Sequence, residues 1–210
     1  MDKVSLCRFG APPPGQAAPS LKKIKRDRRF LPAFPPWRYG RIFERERLQG
    51  SVERLCIGAD ERQTDLLLTL SRIMPEPLGL LYVLHTPVHE KHEAGRYMSP
   101  LVSRKEAAAF LEAHAAFLEC DGRHDFWIGH LDDNGRLAPP LVFDQHNLIY
   151  AYGPLDRYEA VLREGGFVEG AVKIPAPHNH HYHHEFNDLI DAMHTYWAWR
   201  RVPLQPSDER

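Results

Sequence analysis

Thirteen histidines stand in this 210-residue chain, and five of them fall within seven positions: His178, His180, His181, His183 and His184. Imidazole ligates metals, carries protons and changes charge near neutral pH. In an extended backbone, successive side chains point to opposite faces. His178, His180, Tyr182 and His184 then share one face, and His181, His183 and Glu185 the other. The His178-x-His180 pair can offer two imidazoles to one ion, but a zinc-type site needs at least a third ligand. Asp144-x-His146 repeats the same spacing in a turn between the apolar segments 141–143 and 148–152. His178, His180, Asp144 and His146 together make a mixed imidazole and carboxylate set suited to zinc or another divalent or non-haem metal. The expectation is spatial: the 178–184 stretch and the 144–147 turn must be neighbours for such a site to exist. If residues 181–185 instead open a helix, His181 with Glu185, and His184 with Asp188, share a helix face. The ordinary alternative is a polar loop of stacked histidines that takes up metal only adventitiously.

Other chemistry is scarce. His89-Glu90-Lys91-His92 is one residue short of the zinc-protease spacing that puts two histidines on one helix face. No phosphate-loop, dinucleotide-binding or nucleophile-elbow pattern occurs. Cys7, Cys56 and Cys120 lack C-x-x-C spacing, which argues against a disulfide framework or a thiolate zinc site and for a reducing, cytoplasmic setting. Cys56 and Cys120 read as core residues. Asp188 and Asp191 read as a solvated helix face.

The charge is unevenly spread. Residues 1–50 carry twelve Lys and Arg against four Asp and Glu, whereas residues 51–210 carry fifteen against twenty-four, for a net charge of −1. The basic run Lys22, Lys23, Lys25, Arg26, Arg28 and Arg29 is the place where nucleic acid would be touched, although the acidic body disfavours that partner. Asp121, Asp125, Asp132, Asp133, Asp144, Asp156 and Glu159 concentrate in the middle third. Of these, Asp121, Asp125, Asp132, Asp133, Asp156 and Glu159 are the expected contacts to a protein with a basic surface, because opposite charge speeds and orients association.

The elements that must position these groups follow from periodicity. Strands are expected over residues 52–57, 78–84, 125–130, 141–143, 148–152 and 171–174. Residues 60–74 read as a helix capped by Asp60. Residues 103–120 read as one opened by the Ser103-x-x-Glu106 capping box. Shorter helices fit 155–163 and 186–199. Residues 85–102 read as a long polar connection, and Phe30, Phe34, Trp37, Tyr39 and Phe43 as an aromatic strap across the body. No run is long and apolar enough for a membrane span, and no signal-peptide core opens the chain.

The pattern gives an α+β fold: one domain over residues 40–200, with a mixed or largely antiparallel sheet of about five to seven strands and helices packed on it. An extended, basic, proline-rich arm spans residues 1–39 and a frayed tail residues 201–210. The expected function is a non-enzymatic binding protein, an inhibitor or immunity-type factor with an acidic face. The competing expectation is a metal-dependent enzyme built on the histidines.

Overall fold

In the computed structural model, which describes residues 7–12, 35–87, 92–131 and 137–208, eleven strands and four α-helices form among the described residues. In chain order the strands are β1 (Phe9–Gly10), β2 (Ile42–Arg47), β3 (Glu53–Gly58), β4 (Leu78–Leu84), β5 (Gly95–Met98), β6 (His124–Leu131), β7 (Leu137–Phe143), β8 (Leu148–Ala151), β9 (Val168–Glu169), β10 (Asn179–His180) and β11 (Arg200–Val202). The helices are α1 (Gln63–Ser71), α2 (Arg104–Cys120), α3 (Leu155–Glu164) and α4 (Asn187–Tyr196).

Nine strands make one sheet in the order β11-β5-β4-β6-β7-β8-β3-β2-β9. Every pairing in it is antiparallel except β2 with β9. The fold is α+β, as its residue pattern implies, but the sheet is larger than five to seven strands. Four strands escape the periodicity argument. β5 lies inside the polar connection 85–102, and β2 lies within and beyond the aromatic strap. β9 and β11 are short and exposed at the two sheet edges, where alternation of polarity has nothing to report. Conversely, residues 171–174 form no strand; the Val172 amide donates to Glu44 Oε2 instead.

All seven residues of β4 are buried, as a strand covered on both faces requires. Leu80, Tyr82 and Leu84 point with Phe126, Ile128, Leu141, Phe143 and Ile149 into the main core beneath the helices. Cys56, Val142, Leu148 and Tyr150 form a smaller cluster on the opposite face. Helix α2 begins at the expected capping box: Ser103 Oγ accepts from the Glu106 amide at 3.3 Å and the Glu106 carboxylate accepts from the Ser103 amide at 2.8 Å. Helix α1 starts later than expected, after Arg62 in the left-handed region, because Asp60 accepts from the Gly40 amide instead of capping.

The boundaries of the arm and tail also differ from expectation. Residues 7–11 are no loose lead. Arg8 and Phe9 are fully buried, and β1 pairs antiparallel with β10 to make a second, two-stranded sheet. At the other end β11 pairs with β5, and Asp208 is buried against Arg96 at 3.2 Å. The basic run from Lys22 to Arg29, with Phe30 and Phe34, lies outside the described residues.

Candidate metal centre

The β7–β8 connection is a tight turn organised by one carboxylate. Asp144 Oδ1 accepts from the amides of His146 (2.9 Å) and Leu148 (3.0 Å), and the Asn147 amide donates to the Asp144 carbonyl. Asn147 takes the positive φ of 63° that closes the turn, a conformation Asn tolerates better than most residues. The second carboxylate oxygen, Oδ2, accepts from His146 Nδ1 at 2.9 Å. Burial, the largest influence on this carboxyl, opposes its charge. The His146 ring and the two amides outweigh it and hold the group below the usual carboxylate range. Asp144 is therefore a buried anion that orients the His146 ring through Nδ1, so that in the neutral tautomer the lone pair lies on Nε2.

The 178–180 segment arrives from the far end of the chain. It is held by β1: Phe9 pairs with His180 and Gly10 with Asn179, while the His181 amide donates to the Arg8 carbonyl at 3.0 Å. The His181 carbonyl accepts from the Gly122 amide, which ties the segment to the end of α2. The close approach needs glycine at 122, since a Cβ there would stand 2.6 Å from the Arg8 carbonyl oxygen and 3.1 Å from His180 Cβ.

These two scaffolds bring His146, His178 and His180 together. One ring nitrogen from each lies within 4.8 Å of the other two. His178 donates from Nδ1 to the Pro175 carbonyl at 2.8 Å, so in the neutral tautomer its lone pair also lies on Nε2. Nδ1 of His180 is buried and meets no hydrogen-bond partner among the described residues. Burial first, then the neighbouring His146 and His178 rings, push the His180 imidazole down to about 4, so it is neutral at physiological pH. Phe9 backs all three rings, with centroid distances of 5.3 Å to His146, 5.2 Å to His178 and 5.8 Å to His180.

The magnitudes favour a single ion. Zinc–imidazole bonds of about 2.0–2.1 Å in a tetrahedron place ligand nitrogens ~3.3 Å apart. The observed upper limit of 4.8 Å leaves at most ~1.5 Å to close, within reach of small χ rotations. Three imidazoles, one of them backed by a carboxylate, are a borderline-soft nitrogen set that suits zinc and its neighbours in the first transition row.

Of the four residues expected from sequence, the histidines converge, whereas Asp144 stands behind His146 with both oxygens already engaged. His181 and His183 face away from the cluster. His181 Nδ1 shares a 3.0 Å hydrogen bond with Cys7 Sγ, and His183 Nε2 donates to the Cys7 carbonyl. Phe9, Arg8 and Gly122 carry no sequence signal linking them to residue 180. Their role is visible only once the segments meet.

Among the described residues, the acids of the expected face do not assemble as one surface. Asp121 is fully buried, paired with Arg123 at 2.7 Å and accepting from the His183 amide at 3.0 Å. Asp125 is nearly enclosed; it accepts from the Gln145 amide at 2.9 Å and lies 3.2 Å from His85 Nε2. Glu159 bonds Arg45 and Arg163, and Asp156 is exposed beside Arg45. Asp132 and Asp133 lie outside the described residues. Asp121, Asp125 and Asp144 are the buried counter-charges of Arg123 and Arg8, which is why a linear count of acids misreads them as surface.

Compared with protein-family models, with curated proteins and with solved structures, the chain matches none of them. Among the described residues no helix is long and apolar enough to cross a membrane.

Proposed function

We propose that the protein binds one zinc-class divalent cation through His146, His178 and His180 and uses the remaining coordination position for metal-dependent chemistry on a small ligand. The observation that carries this is the convergence of three imidazole nitrogens from two remote segments, 146 and 178–180, within 4.8 Å. Three protein ligands with a position left for water is the pattern of catalytic rather than structural zinc. An ion there would acidify its bound water and polarise a ligand carbonyl or phosphoryl oxygen. The supporting shell is already in place: Asp144 on His146 and the Pro175 carbonyl on His178.

The test is elemental analysis of untagged protein after chelator dialysis and metal return. One equivalent of zinc per chain is expected, with loss of retention in His178→Ala combined with His180→Ala. Retention unchanged by that pair of substitutions, or no retention in the unmodified chain, removes the site. The inhibitor or immunity-type expectation keeps only Asp156 as a fully exposed acid among its four described contacts, so it gains less support from the geometry.

A further inference from the structure

The N-terminal strand supplies part of the proposed metal centre although it contributes no ligand. Phe9 is completely buried, and its ring packs against His146, His178 and His180 together. Its backbone pairs with His180, so one residue sets both the wall behind the rings and the position of a ligand. Flanking groups fasten the strand on each side. The Arg8 guanidinium, fully buried, lies 4.4 Å over the Phe143 ring and donates to the carbonyls of Leu118 (2.8 Å) and His124. Cys7 meets both His181 and His183. Ala11 and Phe9 exchange backbone hydrogen bonds with Pro35 and Trp37.

The paired segment itself is short. Two residues of β1 meet two of β10, and a two-stranded ribbon is marginal in water without further support. A cation held by His178 and His180 would supply that support, because it ties β10 to the His146 turn with Phe9 enclosed between them.

Resting on the metal-binding proposal above, we infer that residues 7–11 are a metal-linked clasp: docking of this strand and binding of the cation at His146, His178 and His180 each strengthen the other, and Phe9 is the positioning residue that couples them. Linkage requires the coupling to be reciprocal. The factor by which a docked strand tightens cation binding equals the factor by which the cation tightens docking. Residues that orient metal ligands without touching the ion change affinity by about 10–100-fold, which sets the expected size.

The experiment is hydrogen–deuterium exchange on the full chain, with and without saturating Zn2+, alongside zinc titrations of the unmodified protein, Phe9→Ala and Phe9→Leu. Zinc is expected to slow exchange at residues 8–11 as well as at 178–183. Phe9→Ala should weaken zinc binding by about 10–100-fold and Phe9→Leu by much less. If zinc binds and protects 178–183 while residues 8–11 exchange unchanged, the clasp is refuted and the metal centre stands. If the unmodified chain binds no zinc, the metal centre fails and the clasp with it. Should Phe9→Ala fail to fold, exchange on the unmodified chain decides the matter alone.

Discussion

Asp144→Asn isolates the orienting carboxylate from the ligands themselves. Asn is nearly isosteric with Asp, so packing around this buried position is kept. The hydrogen bonding is not kept. Asp144 accepts from three donors, His146 Nδ1 and the amides of His146 and Leu148, at 2.9, 2.9 and 3.0 Å. A carboxamide has one acceptor and one donor end. With its NH2 toward the amides, two backbone donors lose their partner. With its NH2 toward the ring, His146 must move its proton to Nε2, which removes the lone pair a cation needs. Orienting groups of this kind contribute about 10–100-fold in metal affinity, or about 1.4–2.7 kcal/mol. The metal-free protein should also lose about 1–3 kcal/mol from the unsatisfied buried groups. A competition titration against a chromophoric zinc chelator reads the first quantity, and urea denaturation in chelator reads the second. Zinc affinity within about twofold of the unmodified protein, when His146→Ala abolishes binding, would show that the carboxylate does not orient His146 and refute the reasoning.

Further outcomes follow from the surrounding structure. Gly122→Ala places a Cβ against the Arg8 carbonyl and His180, so it should cost about 1–3 kcal/mol in denaturation and weaken zinc binding at the same time. Ser103→Ala removes the cap of α2, far from the histidines; it should cost about 1 kcal/mol, lower Tm by about 2–4 °C and leave zinc affinity unchanged. Stability should also fall with acid in a defined window. His124, enclosed between Phe117 (4.6 Å) and Tyr82 (5.1 Å), is pushed well below its usual range by burial first and then by Arg8, His85 and Arg123; His194 is pushed down to about 4, mainly by burial. Between about pH 6.5 and the folded-state values the unfolded chain holds protons that the folded chain refuses, so stability is lost as pH falls through about 6.5. Denaturation midpoints in chelator that stay flat from pH 7.5 to 5 would contradict this.

The strands and helices with strong periodicity were legible in the sequence. The apolar run of β4 and the Ser103–Glu106 box appear where their residues imply. Edge strands were not, because β9 and β11 bury too little to impose alternation. The neighbourhood of the 144–147 turn and the 178–184 stretch was legible as a conditional statement from two period-2 pairs. The division of roles inside it was not. Whether Asp144 ligates or orients depends on which way its oxygens face, and the turn's own amides decide that. Arg8 and Phe9 were hidden for a different reason. A basic, proline-rich N-terminus reads as solvated, and nothing local announces that Arg8 finds carbonyls 110 and 116 residues away. The acidic count misled for the same cause, since Asp121 and Asp125 answer buried donors rather than solvent.

X-ray absorption at the zinc edge on the metal-returned, untagged protein tests the central claim most directly. Three imidazole nitrogens at about 2.0–2.1 Å, with the shell completed by light oxygen scatterers, are expected. A sulfur scatterer at about 2.3 Å would assign the ion to Cys7 or another thiolate, and a shell without imidazole scattering would place it elsewhere. Either result would contradict a centre built from His146, His178 and His180.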